Sequence, residues 1–398
     1  MFPNNILVDD KMTSGEHHVS KFSNGMKVIS IGSDRGIFRE GSAVRDRIKK
    51  QGEIFDEFRI VVFSLKGSGF KEEHMAPNIW VYPTNSASRW LYVFDAARIA
   101  EKLGKADVIT CQDPFESGLA GWLAAGKLGA KLHLQIHTDF LNPYFWRESL
   151  LNKIRVLLAR FLLPKADGIR VVSNRIKNSL KTINYKLKTI PFVLPVYVDI
   201  FGEKIPEGLP WRSQFPDLDF IFLVVSRLER EKGVALAVEI MAEVVKEYPH
   251  SGMVVVGEGG ERIEILKKIS RLGLEKNVYL LGQRLDARLM FKDADACVVP
   301  SYYEGYGLVL IEAATAGCPI ISTDVGLVGD ILVQDKDLLV CPVGDSVCLA
   351  GRMKDLLKGK DKRNALGYNA RESALKRAIS LSDYLSAYKN SLKLSIRD

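Results

Sequence analysis

Short apolar runs alternate with longer amphipathic ones along most of this chain. In the first half, MKVISI from Met26, FRIVVFS from Phe58, NIWVYP from Asn78 and DVITC from Asp107 predict strands, as do KLHLQIH from Lys131, GIRVVS from Gly168 and TIPFVL from Thr189. Helical patterning fills most of the intervals, for example SAVRDRIKKQ, SRWLYVFDAARIAEKLG and SGLAGWLAAGKLG. Strands apolar on both faces, alternating with helices, predict a parallel sheet covered on both sides.

The alternation lapses between Asp199 and Asp219, where Pro206, Pro210 and Pro216 with Gly202 and Gly208 break any regular element. A domain linker is expected there, which divides the chain into 1–200 and 201–375. The pattern then restarts with FIFLVVS from Phe220. The following helix, from Gly233 to Tyr248, places Val234, Ala237, Val238, Met241 and Val245 on one apolar face. MVVVG, VYLLG, ACVVPS and PIISTD supply further strands, and the tail from about Asp361 is helical and amphipathic. The fold class is therefore α/β, with two successive doubly wound units whose ligands sit beyond the carboxyl ends of the strands.

Length and composition agree with two cores. The chain has 398 residues, of which 47% are hydrophobic. Its five cysteines, Cys111, Cys297, Cys318, Cys341 and Cys348, show no C-x-x-C spacing, and most lie in apolar surroundings. Free buried thiols in a reducing compartment are expected. The opening residues show no basic stretch followed by an apolar one, and no apolar run is long enough to span a bilayer, so a cytoplasmic protein is expected. Charge sharpens this picture in one place. Between Arg147 and Lys188 eleven basic residues face two acidic ones, a net of +9, whereas the whole chain carries +8. The segment SLLNKIRVLLARFLLPK within it has a broad apolar face interspersed with cations. Such a helix can lie on an anionic membrane from the cytoplasmic side, or spend its leucines on the sheet beneath. No nucleic-acid motif accompanies the charge.

Three stretches carry candidate chemistry. SRLEREKG follows a strand and opens a helix, placing Arg227 and Lys232 at the sheet edge, where a diphosphate would meet an arginine fork and a lysine point charge. VVGEGGERIEIL is a glycine turn, expected to line a nucleotide pocket. In PSYYEGYGLVLIEAATAGCPIISTDVG a buried strand ends at Ser301, Glu304 lies in the loop, and a helix runs from about Gly307 to Ala316. Amides at that helix start are free for phosphate oxygens, and Glu312 within it can accept two hydrogen bonds from vicinal ribose hydroxyls.

This last stretch resembles the Glu-x7-Glu motif of the retaining glycosyltransferases of family 4, and the resemblance extends over nearly the whole chain, most strongly from Val224 to Ile331. It implies a GT-B fold, two Rossmann-like domains facing each other across a cleft, with a tail helix at 376–398 packing back on the first domain. It implies a nucleotide-diphosphate sugar as co-substrate, no cofactor and no metal. By resemblance, Glu304 contacts the donor sugar and Glu312 the ribose. Gly305, Tyr306, Gly307 and Leu308 hold the diphosphate with Arg227 and Lys232, and Arg284 of VYLLGQR lies on the donor side. LQIHTDF is similar to the family's strand ending in a histidine that faces the donor sugar, which makes His137 catalytic. In FREGSAVRDRI, Gly41 is the candidate glycine of the acceptor-side loop. Val196 and Tyr197 stand where the family commonly has Asn-Gly, a departure on the hinge and acceptor side.

The implied activity is transfer to a saccharide or lipid-linked acceptor, as in cell-surface polysaccharide or glycolipid synthesis. Two rivals share the scaffold, a nucleotide-sugar epimerase and a non-catalytic nucleotide-sugar-binding module. A dinucleotide-dependent oxidoreductase is disfavoured, because no G-x-G-x-x-G follows the first strand at Ile31.

Overall fold

The computed structural model describes residues 25–182, 186–199 and 211–396. The opening stretch that bears on targeting, and residues 200–210 of the expected linker, lie outside the described residues.

Eight strands form the first sheet: β1 (Lys27–Gly32), β2 (Glu57–Val62), β3 (Glu73–Ala76), β4 (Ile79–Pro83), β5 (Val108–Cys111), β6 (Lys131–Ile136), β7 (Gly168–Val171) and β8 (Phe192–Val193). Their spatial order is β3-β4-β2-β1-β5-β6-β7-β8. All pairings are parallel except that of the edge strand β3, which runs antiparallel to β4. The polar sequence of β3, EHMA, carries no strand signal, so the hydrophobic pattern missed it.

The helices of this half are α1 (Ala43–Gly52), α2 (Tyr92–Leu103), α3 (Glu116–Leu128), α4 (Pro143–Glu148), α5 (Leu150–Leu162) and α6 (Asn174–Lys181). The second sheet comprises β9 (Phe220–Val225), β10 (Ser251–Val256), β11 (Val278–Leu280), β12 (Ala296–Val299), β13 (Ile320–Thr323) and β14 (Leu339–Cys341), in the order β11-β10-β9-β12-β13-β14 and wholly parallel. With it go α7 (Val234–Glu247), α8 (Arg262–Arg271), α9 (Ala287–Met290), α10 (Leu308–Thr315), α11 (Ser346–Lys358) and α12 (Lys360–Lys376). The last helix, α13 (Leu381–Ile396), returns to the first sheet and packs on β5, β6 and β7. Two parallel Rossmann-like sheets with helices on both faces make this the GT-B architecture.

Each strand order reverses at one point, between β1 and β5 in the first sheet and between β9 and β12 in the second. Such switch points leave crevices at the strands' carboxyl ends. The two crevices face each other. On the first sheet, α2, α3 and α5 cover one face around Ile29, Ile31 and Leu134. The other face receives α1 and α13 around Val28, Phe58 and Tyr388.

One expectation changes, and one open alternative is narrowed. Cys341 and Cys348 form a disulfide, while Cys111, Cys297 and Cys318 are free and buried. Cys341 ends β14 and Cys348 lies in the first turn of α11, whose start is fixed by Asp345 accepting from the Cys348 amide. The short turn between them brings their Cα atoms to 5.7 Å, well inside bridging range. Cysteine usage therefore no longer argues for a reducing compartment. In α5 the buried side is Asn152, Val156, Ala159 and Leu162, with Leu158 partly buried beside them, and most of the other apolar residues stay uncovered. Leu150, Leu151, Ile154, Leu157 and Phe161 face outward, Leu150 being 74% exposed. Among the described residues no helix is long and apolar enough to cross a membrane.

Candidate active site

The cleft between the sheets has a volume of about 1010 Å³, and residues of both domains line it. On the second domain's side β9 delivers Ser226 and Arg227, and β12 delivers Pro300, Ser301 and Glu304. Helix α10 begins at the same place. Gly307 stands at its cap in the left-handed region, with no side chain capping the amides that follow. These amides and the Lys232 ammonium are the donors an anion would meet on this wall.

Lys232 Nζ donates to Glu304 Oε1 at 2.7 Å, and Ser301 Oγ donates to the same oxygen at 2.9 Å. Both partners of this ion pair are largely shielded from water. Without ligand, the cation thus neutralises Glu304. An arriving diphosphate would compete for the lysine and release carboxylate capacity towards a sugar. Arg227 also lines the cleft, but its guanidinium is exposed and rests on Glu231 at 2.7 Å. Glu312 lines the cleft from within α10. Burial raises its pKa above the usual carboxylate value, and Arg288 opposes the rise. Among the described residues none hydrogen-bonds to its carboxylate, so its acceptors face the cleft unspent.

Gly305 explains how the walls meet. A Cβ there would lie 1.8 Å from the backbone oxygen of His137, so only glycine lets the Glu304 loop reach the end of β6. Ser173 Oγ donates to Gly305 O at 3.0 Å from the end of β7, and Tyr303 Oη donates to Glu148 at 2.5 Å. His137 therefore stands directly across from Glu304. Its ring opens onto the cleft. Desolvation at the cleft wall lowers its pKa, and the cations Arg170 and Arg47 lower it further, which favours the neutral imidazole.

Glu304, His137, Arg227, Lys232, Gly305, Tyr306, Gly307, Leu308 and Glu312 thus come together around one cavity. Arg284 does not line it. Its guanidinium is bound bidentately by Asp286, at 2.8 and 2.6 Å, and this close carboxylate satisfies the fork away from the cleft. Gly41 is also outside it. It sits exposed in the turn before the Ser42 cap of α1, with nothing within 4 Å of where a Cβ would be. Ser33, Asp34 and Arg47 line this side of the cavity instead. The glycine turn after β10 does not line the cavity either. A Cβ on Gly259 would fall 2.4 Å from Leu228 O, so that turn packs against the Arg227 loop. Sequence reasoning missed Gln135, Arg170, Tyr384 and Tyr388 on the first wall. A signal existed for two of them, since Gln135 and Arg170 are polar interruptions of otherwise apolar strands.

Family models and several known proteins match this chain. The family model described as Glycosyl transferases group 1 matches residues 207–373, and that of Glycosyltransferase Family 4 matches residues 56–192. An uncharacterized glycosyltransferase of Methanocaldococcus jannaschii is 29% identical over 285 residues, 69% of this chain and 66% of that protein. The N-acetyl-alpha-D-glucosaminyl L-malate synthase of Bacillus anthracis is 24% identical over 346 residues, 83% of this chain and 89% of that protein. Among solved structures, Anabaena Alr3699/HepE in complex with UDP and glucose is alike with a TM-score of 0.72 at 20% identity, over 92% of this chain and 99% of that one. A likeness at that identity speaks for the fold.

Proposed function

We propose, on the premise that this chain belongs to the group 1 glycosyltransferases, that it moves a sugar from a nucleoside-diphosphate sugar to a saccharide or lipid-linked acceptor, with retention and without metal. The observation that carries this reading is the convergence of Lys232, Glu304, Glu312 and the uncapped start of α10 on one wall, with His137 on the other. In it Lys232, Arg227 and the amides of Tyr306, Gly307 and Leu308 take up the diphosphate and stabilise it as a leaving group. Glu312 anchors the ribose. Glu304, released from Lys232, holds the donor sugar from one side and His137 from the other. The anomeric C–O bond to phosphate breaks while the acceptor oxygen bonds on the same face. The departing phosphate oxygen takes the acceptor's proton, so no protein base is needed. The test is product analysis. With a competent donor and acceptor, proton NMR should show a glycoside of the donor's anomeric configuration, formed equally with a chelator present. Inverted product, a chelator-sensitive rate, or interconversion of the donor sugar without release of nucleoside diphosphate would each contradict the reading.

The outer face of the first domain supports a lipid-linked acceptor, glycolipid or cell-surface polysaccharide synthesis, and a position on the cytoplasmic face of a membrane. Helix α5 presents Leu150, Ile154, Leu157 and Phe161 outward beside Lys153 and Arg160. Its neighbour α3 packs in turn on α2, near whose start Trp90 is 85% exposed and Phe94 is also exposed. Outward apolar side chains with a cationic fringe suit an anionic bilayer surface. Co-sedimentation with anionic vesicles at low salt should capture the protein, and replacing Leu150, Ile154 and Leu157 by serine should release it. No binding by the unaltered protein would refute the membrane position.

A further inference from the structure

The first domain's wall contains a hydrogen-bonded seam that reaches His137 from the far end of the chain. Residues of one strand face point the same way at every second position, so His133, Gln135 and His137 of the β6 line all turn towards α13. Register places Thr110 beside His133, and Gln135 beside Arg170. Arg170 is only 2% exposed, yet among the described residues no carboxylate pairs with it. Its Nε and Nη2 donate to Leu194 O and Pro195 O, its Nη2 to Tyr384 Oη at 3.1 Å, and its Nη1 to Gln135 Oε1 at 2.9 Å. The guanidinium also lies 5.7 and 5.4 Å from the ring centres of Tyr384 and Tyr388. A buried cation held by neutral oxygens and aromatic faces is costly to keep. Its position suggests what it does.

The chemistry of each partner leaves one assignment. A guanidinium can only donate, so the Gln135 atom that meets it is the amide oxygen. The amide nitrogen of Gln135 then donates to Thr110 Oγ1 at 3.0 Å. The same Gln135 oxygen stands 3.3 Å from His137 Nε2 and can only accept there. His137 Nε2 must therefore carry the proton, which leaves Nδ1 as a lone-pair acceptor.

We propose that Arg170, clamped by Tyr384 and Tyr388 of α13, is a positioning residue that locks Gln135 and thereby fixes His137 as its Nε2–H tautomer, with Nδ1 free to accept a hydroxyl of the donor sugar. This rests on the reading of His137 as the residue facing that sugar. It gives the returning helix α13 a part in catalysis that acts through Arg170 and Gln135. A ring released from Gln135 would rotate and populate both tautomers, and an imidazole N–H aimed at a sugar hydroxyl oxygen is the wrong partner for that hydroxyl's own proton.

The experiment has two readouts on the full chain. The first is nitrogen-15 NMR of imidazole-labelled protein, which distinguishes the two tautomers without any turnover. His137 should be wholly Nε2–H in the unaltered protein and a mixture in Arg170→Met. A mixture in both, or the Nδ1–H form in the unaltered protein, overturns the proposal. The second is kinetics of Arg170→Met, of the milder Tyr384→Phe, and of each combined with His137→Ala. Arg170→Met should lower kcat by about 100-fold, as expected for a misplaced reacting group, and Tyr384→Phe by up to about tenfold. Affinity for the nucleoside diphosphate, bound on the opposite wall, should stay within about twofold in both. Once His137 is alanine neither change should cost more. A full additional loss in that background, or a parallel loss of nucleotide affinity, overturns the proposal. If His137→Ala alone leaves kcat unchanged, the reading of His137 fails, while the NMR result still decides the tautomer.

Discussion

The second domain draws its wall of the cleft mainly from one stretch, Ser301 to Glu312, with Lys232 from the neighbouring loop. The first domain gathers Ser30 from β1, Gln135 and His137 from the end of β6, Arg170 from β7, and Tyr384 and Tyr388 from α13, which lies more than two hundred residues beyond them. One wall presents backbone amides and a shielded ion pair, Lys232 with Glu304. The other works through side chains fixed by a buried hydrogen-bond seam. The difference suits two tasks. A diphosphate and ribose need the same recognition wherever they bind, and a compact motif provides it. A sugar under transfer needs its partners held in one orientation, which takes support from several strands.

The sharpest way to break this contrast is at Glu304. Glu304→Gln keeps the shape but can no longer balance charge beside the sugar. Steady-state kinetics should show kcat lower by about 10²–10³, on the order of 3–4 kcal/mol of transition-state stabilisation, with nucleotide affinity retained. An unchanged kcat would reduce the pair with Lys232 to a structural contact.

Gly305→Ala comes next, because it attacks the point where the walls touch. A methyl group 1.8 Å from His137 O cannot be accommodated without parting the Glu304 loop from the end of β6. We expect kcat to fall by about 10–100-fold, with nucleotide affinity falling less, since the start of α10 and Lys232 stay in place. Equal loss of both would mean that the two walls do not act separately.

The smallest expected effect is a pH dependence of donor affinity. Burial raises the Glu312 carboxyl above the usual 4.5, so it protonates at a higher pH than a free glutamate. A ribose anchor must be ionised to accept two hydroxyl protons. Affinity measured by calorimetry should therefore be full at pH 7 to 8 and weaken as the pH falls towards that raised value. Without ligand the linkage has the opposite sense. The folded pKa exceeds the unfolded one, so ionising Glu312 costs stability as the pH rises between them. Glu312→Gln should abolish both trends and weaken donor binding by about tenfold.

The same contrast explains what the sequence revealed. Fold class, strand positions and the donor wall were legible because each depends on neighbours: apolar periodicity for the strands, and a loop, glycines and a helix start within a dozen residues for Glu304 and Glu312. The first wall was largely hidden. Arg170 and Gln135 meet only through sheet register, and Tyr384 arrives from a helix whose docking site no local pattern records. Gly41 and Arg284 were expected in the site by resemblance, and in the structure they lie outside the cavity lining, in a turn and in an ion pair with Asp286. The Cys341–Cys348 bridge escaped because a seven-residue spacing carries no signature until β14 and α11 fold the ends together. The outward leucines of α5 were undecidable from periodicity, which shows that a helix has an apolar face but not whether a sheet covers it.

On the proposed reading the second wall is a nucleotide-sugar site. Thermal unfolding of the unaltered protein and of Glu312→Ala, with UDP-, GDP- and ADP-sugars in turn, tests it most directly. A ligand at 100 times its Kd stabilises the native state by about 2.7 kcal/mol. At least one nucleotide sugar should raise the melting temperature of the unaltered protein by several degrees, and at the same concentration it should raise that of Glu312→Ala much less. No shift with any of them, or an equal shift in both proteins, would contradict the account.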